Sequence, residues 1–120
     1  MKPWHLTLAL LAALSVPACE SEGENEEGPN VDCSTATVKK FSEITAWGKC
    51  TACHNSALAD SARMPGTEGI NFDDYASAKA NAQKAMDEVY EGGMPLPGSP
   101  ALSEDEKTQI YNWASCDTPN

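Results

Sequence analysis

The sequence predicts a small all-α domain of about three to four helices. Three observations carry that prediction. Strand-like alternation of apolar and polar residues is almost absent. Two stretches, at 73–91 and 103–116, repeat their apolar residues at helical spacing instead. A segment rich in glycine and proline, at 92–100, separates them and forbids helix. With 120 residues and a formal net charge of −10, the chain has room for one domain.

The N-terminus reads as targeting rather than fold. Met1 to Ala18 carry Lys2, the apolar run Leu6 to Leu14 and small residues before a break, the pattern of a secretory signal peptide. The run is too short to span a bilayer, which takes ~20 apolar residues. A short buried core helix is the alternative. The signal ends Val16-Pro17-Ala18-Cys19, which resembles the lipobox of bacterial lipoproteins. Val16, Ala18 and Cys19 match, and Pro17 stands where a small residue is usual. The resemblance implies export and a lipid on Cys19, anchoring the chain at a bacterial membrane, the outer membrane facing the periplasm. The alternative is cleavage without lipid, which leaves a free Cys19 in a soluble periplasmic protein.

Residues 20–30 hold five Glu and no aliphatic or aromatic side chain, so 19–30 reads as a lipidated Cys followed by a flexible, self-repelling tether. An acidic binding tail is the other use of such a stretch. The domain is then 31–120, near the small end for a stable core. It carries 7 Lys/Arg against 13 Asp/Glu. That balance argues against nucleic acid and against simple adsorption to anionic lipid, and it favours a basic or neutral partner.

Within the domain three helices are expected. The first runs from Ser34 to Trp47, with Val38, Phe41, Ile44 and Thr45 near one face. The second spans Asp73 to Glu91, as one piece or two, with Ala82, Ala85, Met86 and Val89 as its apolar stripe and Gly92-Gly93 as its stop. The third begins at Ser103, where Ser103 and Glu106 form a capping box. Ile110, Trp113 and Ala114 make its inner face, and it ends near Cys116. Tyr75 and Tyr90, like Trp47 and Trp113, are expected to be wall or core aromatics.

The chemistry rests on Cys50-Thr51-Ala52-Cys53-His54, a c-type haem attachment sequence. Two thiols must add to two vinyl groups along one porphyrin edge. Two intervening residues put both sulfurs on one side of a helical turn, and the next residue offers its imidazole to the iron. A chance match is expected roughly 0.003 times in a chain of this composition, so the signal is specific. Three other readings use the same residues. A zinc site would need Cys33 or Cys116 as fourth ligand. A thioredoxin-like redox pair would need a βαβ context. A plain disulfide could join Cys50 to Cys53.

With Cys19 lipidated and Cys50 and Cys53 on haem, Cys33 and Cys116 remain at the two ends of the domain. In an oxidising compartment they are expected to form a disulfide, the alternative being two buried free thiols. His5 lies in the signal, so the mature chain has only His54, and ligation of the iron by two histidines of one chain is excluded. The distal ligand is a Met, another residue, water or nothing. Met86 sits on a helical stripe and reads as core. Met64, before Pro65-Gly66, and Met94, in a loop stiffened by Pro95 and Pro97, are both placed to be ligands.

Over residues 33–116 the chain resembles small single-haem cytochromes c, of the class I-like kind often found as bacterial lipoproteins. The resemblance rests on the motif at 50–54, Asn71-Phe72-Asp73-Asp74-Tyr75, Gly93-Met94-Pro95, and Leu102 to Lys107 with Trp113. It implies a compact helical bundle around one covalent haem c, Met94 as distal ligand opposite His54, and electron transfer with a redox partner protein rather than catalysis. Two rival functions stay open at this point: a five-coordinate haem sensor or peroxidase-like enzyme, and a haem-free metal-binding or interaction module.

Overall fold

A computed structural model describes residues 28–120. The expected signal peptide, the expected lipidation site at Cys19 and the expected tether as far as residue 27 lie outside the described residues. Among the described residues the fold is all-α, with four helices and no strand: α1 Trp47–Cys50, α2 Tyr75–Ala80, α3 Ala82–Tyr90 and α4 Glu104–Ser115. No helix among them is long and apolar enough to cross a membrane. Gly28 and Pro29 are half-buried, and Gly28 lies against Met86 and Asp87 of α3.

The expected second and third helices are present. Asp74 caps α2, its carboxylate accepting from Ser77 N–H at 2.8 Å. The stretch is two pieces, because Asn81 leaves helical geometry at φ −110°, ψ 13°. Ala82, Met86 and Val89 are buried, and Ala85 packs against the core. Helix α4 opens on the capping box: Glu106 N–H reaches Ser103 Oγ at 3.2 Å, and Ser103 N–H reaches the Glu106 carboxylate at 2.7 Å. Ile110 and Trp113 are fully buried on its inner face.

The expected helix over Ser34 to Trp47 does not form. Only a 3-10 turn at Phe41–Glu43 and the first residue of α1 fall within it. The backbone there finds partners elsewhere, which a helix would have forfeited. Asp32 gathers Ser34, Thr35 and Ala36 into a tight turn. Thr37 carbonyl accepts from Asn112 Nδ2 at 3.1 Å, Phe41 N–H donates to Pro119 carbonyl at 2.9 Å, and Thr45 N–H donates to Gln109 Oε1 at 2.9 Å. Thr35, Thr37 and Val38 are β-branched and resist helix only weakly. The tertiary partners decide the outcome. Phe41 and Ile44 still reach the core, but along an extended segment.

That segment is held to the C-terminus by a disulfide between Cys33 and Cys116, whose Cα atoms are 5.6 Å apart. Closing so long a loop contributes about 4.5 kcal/mol in the chain-entropy picture. The C-terminal tail turns back beyond α4 through left-handed Asp117 (φ 63°) and Thr118 (φ 44°). Such conformations cost roughly 1–2 kcal/mol per residue. They let Pro119 carbonyl accept from Trp113 Nε1 at 2.8 Å and Thr118 carbonyl accept from the Tyr75 hydroxyl at 2.9 Å.

Candidate functional site

The motif at 50–54 continues the helical path of α1 for one turn. Thr51 N–H bonds to Trp47 carbonyl at 2.9 Å, and Cys53 and His54 N–H both bond to Cys50 carbonyl, at 3.1 and 2.9 Å. Four residues are too few for a helix to hold itself, so its position comes from its packing. Trp47 is buried against Phe72, with rings stacked at 4.8 Å, and meets Trp113 edge-on at 5.5 Å. Lys49 Nζ ties the other side of α1 to the start of α4, through Glu106 Oε2 at 2.6 Å and Ala101 carbonyl at 2.8 Å. Phe72 N–H donates to His54 carbonyl at 2.9 Å, and the His54 and Phe72 rings meet edge-on at 5.3 Å.

These contacts place Cys50, Cys53 and His54 on the wall of a mostly apolar cavity of about 360 Å³, within the ~300–1,000 Å³ common for cofactor pockets. Trp47 and Phe72 form one side. Leu58, Met64 and Ile70 of the loop after the motif form another. Ala85 and Val89 of α3, Met94 and Leu96 of the following loop, and Ile110 of α4 close the rest. Both candidate distal methionines therefore border the cavity that the motif borders. They differ in burial: Met94 is half-buried and packed on the core, whereas Met64 is 52% exposed. Met86 is not on the wall. It is buried, and its sulfur accepts from Ser115 Oγ at 3.3 Å, as a core residue would.

The placing of Met94 follows from its neighbours. Gly92 takes φ +80° and ends α3, a conformation that favours glycine. Gly93 passes against the Glu88 side chain, leaving little space for a Cβ. Met94 N–H then donates back to Glu88 carbonyl at 2.9 Å. The Met94–Pro95 peptide is cis.

Burial shifts two ionisable groups of the cavity wall. Burial pushes the Cys50 thiol up to about 11, with the Glu106 charge adding to it. A reactive or metal-binding cysteine shows the opposite shift. Burial lowers the His54 pKa from the ordinary 6.5; the nearby Ile70 carbonyl opposes this, and Arg63 and Lys84 add to the lowering. At neutral pH the imidazole is uncharged and able to ligate a metal. Two buried polar atoms of the wall residues, His54 Nδ1 and Trp47 Nε1, have no hydrogen-bond partner among the described residues. Unpaired buried donors are rare because each costs about 1–3 kcal/mol. Orphaned atoms, a mostly apolar wall and two free thiols together fit a large, largely apolar group with polar edges.

The rival readings fare less well. Cys33 and Cys116 are bonded to each other, so neither can complete a zinc site with the motif. Among the described residues no three His, Cys, Asp or Glu side chains converge as a metal-holding set. Cys50 and Cys53 are free thiols, half-buried and exposed respectively. The sequence reading overlooked Arg63. It is the single arginine of the chain, set in a loop with no periodicity to mark it, yet its guanidinium is buried in the cavity wall. Comparison of the chain with protein-family models, with curated proteins and with solved structures finds no match.

The Cys50 shift has a sign that can be read. Only thiolate alkylates, so in the reduced, haem-free protein Cys50 should react with iodoacetamide far more slowly than exposed Cys53 at pH 8. Its rate should climb as the pH approaches 11. Equal rates at pH 8 by peptide mass mapping would contradict the buried, neutral thiol.

Proposed function

We propose that the protein carries one haem c, bonded through Cys50 and Cys53 and ligated by His54 and Met94, and that it passes single electrons to or from a redox partner protein. The observation that carries this reading is that the attachment motif and Met94, from distant parts of the chain, border one apolar cavity. A haem held there supplies one reversible electron as its iron cycles between Fe(II) and Fe(III).

The chain's own residues would do the rest. Two thioether bonds fix the group without depending on affinity. His54, kept neutral by burial, presents an imidazole. Met94 offers a soft thioether, better suited to the ferrous state. The aromatic and aliphatic walls exclude water, which with Met/His ligation favours a raised potential. Trp47 Nε1 offers an unused donor to a polar edge.

We further propose that the chain is exported and anchored by lipid on Cys19. What supports export, besides the signal-like N-terminus, is the Cys33–Cys116 disulfide, a bond that persists in oxidising compartments. Cys19→Ser should move the protein from the membrane fraction to the soluble one. An unsubstituted protein already soluble, with an unmodified N-terminus, would contradict the anchor.

The distal ligand decides between electron transfer and chemistry at an open iron. In the loaded protein, Met94→Ala should abolish the weak sulfur-to-iron band near the red end of the ferric spectrum, lower the midpoint potential and admit carbon monoxide. Met64→Ala should leave all three unchanged. If Met64→Ala alone removes the band, the ligand is Met64. If the unsubstituted ferrous protein binds carbon monoxide rapidly, the iron is open and a sensor or peroxidase-like role replaces electron transfer.

A further inference from the structure

The loop between the motif and α2, residues 55–71, has no helix except a 3-10 turn at Asp60–Ala62, yet it forms one side of the cavity. Its order is concentrated on one side chain. Arg63 Nε donates to Leu58 carbonyl at 3.2 Å. Nη1 donates to Ile70 carbonyl at 3.3 Å and, more weakly, to Thr67 carbonyl at 3.5 Å. Nη2 donates to Asn55 carbonyl and to Asn71 Oδ1 at 2.7 Å. The acceptors span the loop from its first residue, Asn55, to its last, Asn71. All five are neutral.

A buried guanidinium is expensive unless a carboxylate compensates it. The Arg63 side chain is only 3% exposed, and its ion pair is loose: Asp60 is 3.8 Å away and 81% exposed to solvent. The charge is therefore satisfied by hydrogen bonds and only partly offset, by the exposed carboxylates of Asp60 and Asp73. Arg63 Nη2 donates to the carbonyl of Asn55, the residue after His54, and Arg63 and His54 line the same cavity.

We propose that Arg63 is a positioning residue for the candidate haem site: it locks the 55–71 loop as a cavity wall and sets a fixed, buried positive charge beside the His54 side. This rests on the reading given under Proposed function. Oxidising the iron adds a positive charge, so a nearby buried cation disfavours Fe(III) and raises the potential.

The test uses the loaded protein with Arg63→Gln and Arg63→Lys. Both should speed amide hydrogen exchange across 55–71, because neither replaces the five-donor fork. The midpoint potential should fall in Arg63→Gln and hold near the original in Arg63→Lys, with the sulfur-to-iron band present in both. A potential that is unchanged in Arg63→Gln overturns the inference. So does an equal fall in both variants, which traces the effect to loop geometry rather than charge, and so does unchanged exchange in the loop. If Arg63→Gln fails to fold, Arg63→Lys alone decides: fast loop exchange with a retained potential supports the inference, and any other result overturns it. Failure of the underlying reading is seen separately, as an unsubstituted protein with no bound haem.

Discussion

Trp47 lies face to face with Phe72 at 4.8 Å and edge-on to Trp113 at 5.5 Å. Such pairs add about 0.5–1.5 kcal/mol each beyond the burial of their rings. The rest of the site hangs on this contact. Helix α1 is four residues long and has no stability of its own. Trp47 seats it against α4 on one side and against the segment leading to α2 on the other. The turn carrying Cys50, Cys53 and His54 follows directly, and His54 meets the same Phe72 ring. A loss of the Trp47 ring would therefore loosen the motif, the loop after it and the α4 contact together.

Much of this was legible in the sequence, for physical reasons. The capping box at Ser103 and Glu106 and the stripe through Ile110 and Trp113 are local, and local rules locate α4. The stop at Gly92-Gly93 is local too, whereas the sequence leaves open whether 73–91 is one piece or two. Pairing of Cys33 with Cys116 followed from counting cysteines. The segment from Ser34 to Trp47 misled because its apolar spacing suits a helix, while its hydrogen bonds go to Asn112, Gln109 and Pro119, far along the chain. Arg63 was illegible for a similar reason. Nothing local distinguishes a solvated arginine from one whose guanidinium closes on five acceptors, and only the folded loop reveals them. Met64 and Met94 both border the cavity, Met64 exposed and Met94 packed on the core.

The charge pattern has two scales. The chain is acidic overall, with a formal net charge of −10, which suits a basic or neutral partner. Lys49, Arg63, Lys84 and Glu88 border the cavity, with Lys49 paired to Glu106 and Arg63 loosely to Asp60. Surface charges are screened by salt, whereas Arg63, being buried, is screened much less.

The claim on which everything else depends is that the two motif thiols are occupied by covalent haem. Intact mass of the mature protein, expressed with a cytochrome c maturation system and denatured before measurement, tests it most directly. The account predicts a mass increased by one haem, retained through denaturation and lost when Cys50 and Cys53 are both replaced by Ala. A denatured protein with no added haem and two alkylatable thiols at 50 and 53 would contradict it.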